Sequence, residues 1–465
     1  MPDKRLLGIG FVLCFIYVQI KSTEGVSSKG FAATNLQSLQ WRGLIDPCPI
    51  EPNNASFEQG HGNNLRLQLH HVYSSCSPIK RPANMSLAEV AQKILASDVA
   101  RENSYTVYSS GDLLSWVASG ETIGTGNYIV RVGFGTPSSG MYVLIDTGSD
   151  ITWIQCDPCP QCYKQRDALF QPMGSTSYRA LPCNSTTCQQ LKSFAKVCLN
   201  SSCNYRVSYG DSSTTKGDFS LDTLTLTSSD TNLVSVPDFA FGCGHANKGL
   251  FSGAAGLLGL GQSSIGFPSQ TSSAFGEVFS YCFPSVSSSV PSGFLHFGEA
   301  AILDYDVQFT PFVGSRSSSS QYFIKMTNVS VGDDILAIST AIMVDSGTVI
   351  SRLEQSIYGK LRDTFNQNMP KLQIASPVSP FDTCFQVSSI YEINIPLITL
   401  HFQNNVDLHL TPVHVLYPAD EGVMCFAFAP SSSGRSVLGN FQQQTYKFVY
   451  DIPNARLGIS ALECN

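Results

Sequence analysis

The sequence is poor in charged side chains and has no basic cluster of the kind that binds nucleic acid. Only 14% of its 465 residues are Asp, Glu, Lys or Arg, against about 25% in an average soluble domain. The formal net charge is −7, and this acidic excess lies entirely in residues 127–465. After residue 20, no apolar run approaches the roughly 20 residues that a membrane-spanning helix needs. We therefore expect neither a nucleic-acid partner nor a membrane anchor.

Residues 1–24 have the organisation of a secretory signal peptide. Lys4 and Arg5 precede the apolar run Leu6–Ile20, which is too short and wrongly flanked to span a membrane. Cleavage is predicted between Ser22 and Gly25. The last residues, Ala461–Asn465, contain no lipid-anchor or retention signal. These features predict a secreted protein, with the vacuole as the alternative destination.

Cysteine is abundant, and its distribution fits an oxidising compartment. Twelve of the 15 cysteines lie from Cys156 onward, an even number compatible with six disulfides. The spacing of Cys156, Cys159 and Cys162 also suits zinc, but secretion favours disulfides, and no metal is expected. Five N-x-S/T sequons agree with a glycoprotein: Asn54, Asn84, Asn184, Asn200 and Asn328.

Two short segments are near copies of each other and follow apolar runs. They read Asp-Thr-Gly-Ser at 146–149 and Asp-Ser-Gly-Thr at 345–348, and each is followed at a distance by an apolar-apolar-glycine segment, at 256–261 and 436–440. This repeat predicts two similar halves that each deliver one aspartate to a shared site. Two such carboxylates hold one proton between them, which lets the pair activate a water and protonate a leaving group.

The chain divides into a polar N-terminal region and a strand-rich remainder. Residues 25–120 resemble a pro-segment without paired strands, and they contain one helix that Ser86 and Glu89 are predicted to cap. Leu113–Gly126 is a predicted processing zone. Beyond it we expect a lobe at 127–310 and a second at 321–465, with a helix over Ser356–Asn366.

These motifs together resemble those of the pepsin-like aspartic proteases, over Asn127–Asn465. The cysteine cluster at 156–203 is similar to the insert of nepenthesin-type (atypical) plant enzymes, and Leu69–Pro78 is similar to their pro-segments. The resemblance implies an all-β, bilobed fold with a cleft between two related lobes. It also implies an endopeptidase of the apoplast that is made as a zymogen, works at acidic pH as a monomer without a cofactor, and hydrolyses protein or peptide substrates.

The resemblance assigns a role to each residue of the repeat. Asp146 and Asp345 would hold the attacking water, Gly148 and Gly347 would permit the tight turns, and Thr147 and Ser346 would hydrogen-bond across the lobe junction. Ser149 and Thr348 would bind the outer carboxylate oxygens. Val349 is a departure, since many relatives have a second threonine there.

A flap and a set of disulfides are implied in the same way. Tyr209 matches the flap tyrosine, and Trp153 matches the tryptophan that holds it. The implied disulfides are Cys156–Cys159, Cys162–Cys243, Cys183–Cys203, Cys188–Cys198, Cys282–Cys464 and Cys384–Cys425.

A second class of function stays open beside the enzyme. The xylanase inhibitors use the same fold, so a catalytically inactive protease-like inhibitor or binding protein of the extracellular space is the alternative. Inactive members typically have a damaged dyad or flap. Here both aspartates, both glycines and Tyr209 are intact, which favours the protease.

Overall fold

The structure is a computed structural model in which most of the chain after residue 24 is described. Several predicted features lie outside the described residues: the signal peptide, Asn54, the flap residue Tyr209, the processing zone and Cys464. The described residues are 31–35, 64–80, 84–106, 128–191, 195–208, 213–227, 233–249, 251–285, 292–303, 306–317, 319–387 and 392–461.

Strands dominate these residues, as the alternating apolar runs and frequent turns predict. In chain order they are β1 (Phe31–Asn35), β2 (Leu65–His71), β3 (Tyr128–Phe134), β4 (Ser139–Asp146), β5 (Trp153–Gln155), β6 (Arg179–Ala180), β7 (Lys196–Leu199), β8 (Ser202–Ser208), β9 (Thr214–Thr227), β10 (Leu233–Lys248), β11 (Gly256–Gly259), β12 (Val278–Cys282), β13 (Ser292–Phe297), β14 (Gln308–Pro311), β15 (Phe323–Val331), β16 (Asp334–Val344), β17 (Ser351–Leu353), β18 (Gln373–Ile374), β19 (Cys384–Gln386), β20 (Glu392–Pro396), β21 (Ile398–Phe402), β22 (Val406–Leu410), β23 (Leu416–Asp420), β24 (Val423–Phe426), β25 (Phe428–Pro430), β26 (Ser436–Leu438), β27 (Lys447–Asp451) and β28 (Arg456–Ser460).

Helices are few and mostly short in the described ranges. They are α1 (Leu87–Thr106), α2 (Thr186–Gln189), α3 (Phe267–Gln270), α4 (Ser272–Phe275), α5 (Gln355–Asn368), α6 (Pro412–Val415) and α7 (Asn440–Gln443). The predicted helix at 356–366 is α5, and its apolar face is buried, with Phe365 stacked on Phe426 at 4.4 Å between ring centroids. In the part of the chain that is described, no helix has the length and apolar character needed to cross a membrane.

The strands form two β-rich lobes, which confirms the expected bilobed all-β fold. The first is one large sheet, in the order β14-β28-β27-β12-β13-β2-β3-β4-β11-β5-β10-β9-β8-β7, with β6 paired to β9. The second contains a seven-stranded sheet, β22-β21-β15-β16-β26-β17-β25, and a four-stranded sheet, β18-β19-β24-β23. The last described strands, β27 and β28, return to the large sheet and do not join the sheets of the second lobe.

The N-terminal region contains strands that the sequence did not predict. Strand β2 lies between β13 and β3 in the large sheet, where its residues pair from Ser292↔His70 to Phe297↔Leu65. Strand β1 pairs with β20 of the second lobe. This N-terminal region is therefore built into both lobes. A strand that is completed only by distant partners has no paired turn beside it, and this is why the local pattern missed it.

The structure pairs eight of the cysteines differently from the set that the resemblance implied. Cys156 bonds Cys243 in place of Cys159, because the segment that continues β5 runs alongside β10. Cys159 then bonds Cys162 within one loop. The hairpin β7–β8 places Cys198 opposite Cys203, and these bond Cys183 and Cys188, respectively, rather than the reverse.

Of the two remaining implied disulfides, one is present and the other is only partly described. Cys384 and Cys425 are opposite each other on β19 and β24 and form the implied disulfide. Cys282 is disulfide-bonded, but Cys464 is not among the described residues. Of the sequons, Asn84, Asn184 and Asn200 are exposed and Asn328 is half-buried, and their glycosylation stays a prediction.

Strand β16 offers a direct test of the second lobe's core. Ile342 is fully buried on this strand, whereas Ile335 is 71% exposed. Ile342→Ala should lower the free energy of unfolding by about 2–5 kcal/mol, because it leaves a cavity. The matched control Ile335→Ala should change it by no more than about 0.5 kcal/mol. Urea unfolding measures both, and equal effects would show that this strand does not face the core as described.

Candidate active site

The two aspartates lie at equivalent strand ends in the two lobes. Strand β4 ends at Asp146 and runs parallel to β11, and the Leu260 amide donates to the Asp146 carbonyl at 2.8 Å. In the second lobe β16 runs parallel to β26, and the Asp345 amide donates to the Leu438 carbonyl at 3.1 Å. The two apolar-apolar-glycine segments of the sequence are thus the partner strands that hold the aspartates.

A reciprocal pair of hydrogen bonds joins the two aspartate turns. The amide of Thr147 donates to Ser346 Oγ at 3.0 Å, and the amide of Ser346 donates to Thr147 Oγ1 at 2.9 Å. Thr147 Oγ1 in turn donates to the Val344 carbonyl at 3.3 Å. Both side chains are buried, so each lobe fixes the turn of the other, as the resemblance implied for these two residues.

Glycine is required in both turns because the lobes approach closely. The amides of Gly148 and Gly347 each donate to Oδ1 of the aspartate two residues earlier, at 2.9 Å. A Cβ on Gly148 would lie 2.8 Å from Asp345 Oδ1, and one on Gly347 would clash with Asp146 Oδ1. Any larger residue would therefore separate the carboxylates.

Both carboxylates bind one cation, Arg101 of helix α1. Nη2 of Arg101 lies 3.0 Å from Asp146 Oδ1 and 2.8 Å from Asp345 Oδ2, and Nε lies 3.1 Å from the latter oxygen. All three side chains are fully buried. The site is thus a buried cluster of two acidic groups and one guanidinium, and Arg101 occupies the position between the carboxylates.

The two carboxylates differ in their remaining hydrogen bonds. Thr348 Oγ1 donates to Asp345 Oδ2 at 2.6 Å, as implied. Ser149, the equivalent residue, is buried, and its contact with the Asp146 carboxyl lowers the pKa of that group. Its Oγ and Asp146 Oδ2 do not reach full hydrogen-bond geometry with any described residue. Asp345 therefore accepts more hydrogen bonds from protein donors than Asp146 does.

The pKa values of the pair follow this asymmetry. Burial raises the pKa of Asp146 to about 6, against the opposing charge of Arg101. Burial also acts on Asp345, but Arg101, Thr348 and the Gly347 amide together hold its pKa below the usual value. A proton that enters the pair in this state therefore resides on Asp146, while Asp345 stays ionised.

Helix α1 makes a second buried charge contact one turn before Arg101. Asp98 Oδ2 lies 2.8 Å from Nη2 of Arg352, and Asp98 Oδ1 accepts from the amides of Val349 at 2.6 Å and Ile350 at 3.3 Å. The Ser86–Glu89 capping box forms as predicted, with the Glu89 amide donating to Ser86 Oγ at 3.2 Å and the Ser86 amide to Glu89 Oε2 at 2.7 Å. The apolar face of the helix packs on the second lobe through four buried residues, Val90, Ala91, Ile94 and Leu95.

Arg101, Asp98 and Arg352 are functional candidates that the sequence reasoning missed. A signal was present, since Val90, Ile94, Asp98 and Arg101 follow one another at the three- and four-residue spacing of a single helix face. Charges that continue an apolar stripe indicate a buried ionic partner. For Arg352 no local signal existed, because its partner is 254 residues away.

The flap residues are only partly described. Trp153 is fully buried and contacts Phe251 edge-on at 5.0 Å between ring centroids. Its indole Nε1 has no hydrogen-bond acceptor among the described residues. Because Tyr209 lies outside them, its pairing with Trp153 stays a prediction.

Comparisons with known proteins identify relatives over most of the chain. Two family models match, described as xylanase inhibitor N-terminal at residues 128–299 and xylanase inhibitor C-terminal at residues 321–461. Aspartyl protease family protein 2 of Arabidopsis thaliana is 35% identical, covering 98% of both chains. Aspartic proteinase nepenthesin-1 of Nepenthes gracilis is 34% identical, covering 73% of this chain and 79% of its own.

Solved structures share the fold at lower identity. Basic 7S globulin from soybean superposes with a TM-score of 0.61 and 24% identity, covering 73% of this chain and 92% of its own. Conglutin gamma from lupine seeds gives a TM-score of 0.62 at 20% identity, with coverages of 86% and 96%. The two family models and the protease relatives, together with the paired aspartate turns, show that the chain belongs to the pepsin-like aspartic proteases, and within them to the nepenthesin-type plant branch.

The hydrogen bonds between the two turns can be tested by one substitution. Thr147→Val keeps the shape of the side chain but removes the acceptor of the buried Ser346 amide. It should lower the free energy of unfolding by about 1–3 kcal/mol, the usual cost of an unsatisfied buried group. The control Thr147→Ser keeps the hydroxyl and should lose less. If urea unfolding gives the Thr147→Val and Thr147→Ser variants the same free energy of unfolding, the reciprocal bonds do not stabilise the lobe junction.

Proposed function

We propose that the protein is a secreted aspartic endopeptidase that hydrolyses peptide bonds at acidic pH and is made as an inactive precursor. The observation that carries the proposal is the convergence of Asp146 and Asp345 on a single nitrogen, Arg101 Nη2, at 3.0 and 2.8 Å. A peptide or water that replaced Arg101 would meet both carboxylates at once. The signal peptide and cysteine content support secretion, to the apoplast or alternatively the vacuole.

The hydrogen bonds of the dyad assign a part to each carboxylate in the reaction. Asp345 keeps donors from Thr348 and Gly347 when Arg101 leaves, so it is the ionised general base that takes a proton from the attacking water. Asp146 carries the shared proton and donates it to the carbonyl oxygen of the scissile bond. A tetrahedral diol forms and collapses as the amine leaves with a proton. Neither a covalent intermediate nor a metal takes part.

Helix α1 accounts for latency in the precursor. A substrate cannot enter while the guanidinium of Arg101 fills the space between the carboxylates and Asp98 is bound to the second lobe. Release of the helix, followed by cleavage in the zone 113–126, would open the cleft. The mature enzyme would then act on protein or peptide substrates as a monomer.

Acidification should release the helix through the dyad. Arg101 lowers the pKa of both aspartates when it is bound, so the docked state holds fewer protons than the undocked state. Docking by this contact is complete at neutral pH and weakens as pH falls and the pair takes up a proton. Asp98 acts in the opposite sense, since burial raises its pKa in the docked helix despite Arg352 and two amides.

A protease-like inhibitor is the second candidate, because the matching family models carry that description. Such a protein needs a binding surface but no dyad. The intact Asp146–Asp345 pair, with both glycines and the reciprocal hydrogen bonds, favours catalysis. Inhibition of a xylanase without any proteolysis by the processed chain would decide for the inhibitor.

Removal of one carboxylate tests catalysis directly. After incubation at about pH 4, the chain should process itself and cleave a denatured protein, and a statine-type inhibitor should block both. Asp146→Asn should lower the cleavage rate at least about a thousandfold, the scale of general acid–base catalysis. The control Asp238→Asn changes an aspartate that is 68% exposed and should retain activity. Cleavage that survives Asp146→Asn would contradict the dyad.

The latency contact is tested by neutralising Arg101. Arg101→Met keeps much of the apolar stem but removes the charge between the carboxylates, so self-processing should begin about one pH unit or more above the wild-type onset. Lys93→Met is the matched control, because Lys93 is exposed on the same helix. Processing is followed by gel electrophoresis across pH 3–7. Equal onsets for wild type and Arg101→Met would contradict the proposed role.

A further inference from the structure

The contacts of Asp98 with the second lobe form a built carboxylate site. Three donors converge on one buried carboxylate: Arg352 Nη2 at 2.8 Å from Oδ2, and the amides of Val349 and Ile350 at 2.6 and 3.3 Å from Oδ1. The Asp98 side chain is fully buried and that of Arg352 is 5% exposed. Both carboxylate oxygens are therefore bound by donors of the second lobe.

The donors belong to the second lobe and not to the pro-segment. Arg352 is the central residue of β17, which pairs with β25 and β26. Val349 follows Thr348 directly, and Thr348 hydrogen-bonds Asp345. The same stretch of chain thus carries a contact to the catalytic carboxylate and the donors to Asp98. Removal of the pro-segment takes away the carboxylate but leaves these donors on a strand held by its sheet.

The site also lies where a substrate must bind. Asp98 is three residues before Arg101 on helix α1, which corresponds to about 4.5 Å along the helix axis. Because Arg101 contacts both catalytic carboxylates, Asp98 lies about one turn away from the reacting centre. The helix that occupies this space in the precursor must leave before a peptide reaches the dyad. A peptide bound at the dyad therefore runs past Arg352 and the amides of Val349 and Ile350, the donors that bind Asp98 in the precursor.

We propose that Arg352 and the amides of Val349 and Ile350 form a specificity site for a carboxylate of the substrate, and that Asp98 is its occupant in the precursor. This inference rests on the proposed function and names the substrate class: peptides with Asp or Glu near the scissile bond. A buried guanidinium flanked by two amides matches a carboxylate. A substrate that presents an apolar or amide group there loses the charge-assisted bonds to Arg352.

Two sources of the carboxylate are possible, an acidic side chain and the free C-terminus of a short peptide. The contact in this structure is made by a side chain within a continuous helix, which favours the acidic side chain. Peptides with amidated C-termini separate the two sources. An amidated peptide that retains the preference uses its side chain, whereas loss of the preference on amidation assigns the site to the terminus and overturns the specificity proposed here.

The first test needs only the wild-type chain, activated at acidic pH and assayed at about pH 5, where a free Glu carboxyl with a pKa of about 4.3 is mostly ionised. Matched amidated peptides differ by Glu or Gln at one position on either side of a common scissile bond. At one position, kcat/KM for Glu should exceed that for Gln about tenfold or more, the scale of a charge-assisted hydrogen bond. A ratio near one at every position would overturn the inference.

Variants then assign the preference to Arg352. Arg352→Gln should reduce the Glu/Gln ratio to near one, and Arg352→Lys, which keeps the charge without the planar fork, should retain part of it. Asp98→Asn is the matched control, because it removes the other partner of the same ion pair. Residue 98 is absent from the processed enzyme, so the Glu/Gln ratio should equal that of wild type. An unchanged ratio in Arg352→Gln would overturn the assignment, even with the wild-type preference present.

Failure of this inference differs from failure of the proposed function. If the Gln peptides are cleaved with Glu/Gln ratios near one, the endopeptidase holds and the carboxylate site is wrong. If no peptide is cleaved, the proposed function fails first. The site is then tested by binding of fluorescent Glu and Gln peptides to the processed chain, in which equal affinities would overturn it.

Discussion

The negative charge of two carboxylates in one buried site must be compensated, either by a cation or by a proton that neutralises one of them, and much of this structure follows from that constraint. Here the guanidinium of Arg101 is the cation, in contact with both Asp146 and Asp345. The parallel partner strands and the two glycines bring the carboxylates together. The reciprocal hydrogen bonds of Thr147 and Ser346 hold them at that separation.

The same constraint makes the N-terminal region part of the fold. Its strand β2 completes the large sheet beside β3 and β13, and its helix α1 places four apolar side chains on the second lobe. These contacts carry Arg101 and Asp98 to their partners. A charge-compensated cluster of this kind is poised between two states, because a proton on the pair of aspartates compensates part of the charge that Arg101 compensates in this structure.

Features that repeat or depend on near neighbours were predictable from the sequence. The aspartate turns, their partner strands, the capping box of Ser86 and Glu89, and helix α5 all carry their signals within a few residues. The bilobed fold followed from the repeat because two copies of one motif need two similar frameworks. The glycines were required by the close approach that a shared site imposes.

Features that depend on distant partners were not predictable. The disulfides of Cys183, Cys188, Cys198 and Cys203 depend on how the β7–β8 hairpin faces the preceding loop. The two cysteines of the loop and the two of the hairpin are equally spaced along the chain, so the sequence allows either pairing. Strand β2 finds its neighbours more than 50 residues away on one side and more than 200 on the other. Arg101 and Asp98 continue the apolar face of their helix, which indicates buried ionic partners, but the identity of those partners at 146, 345 and 352 is known only after folding.

Arg101 holds helix α1 on the carboxylates of Asp146 and Asp345. Amide hydrogen exchange of Leu87–Thr106 in the full-length chain at pH 7 tests it most directly, with Arg101→Met and Lys93→Met compared against wild type. Exchange should be slow in wild type and in Lys93→Met and markedly faster in Arg101→Met, because Arg101 carries the contacts of the described part of the helix with the two carboxylates. Equal protection in all three chains would contradict it.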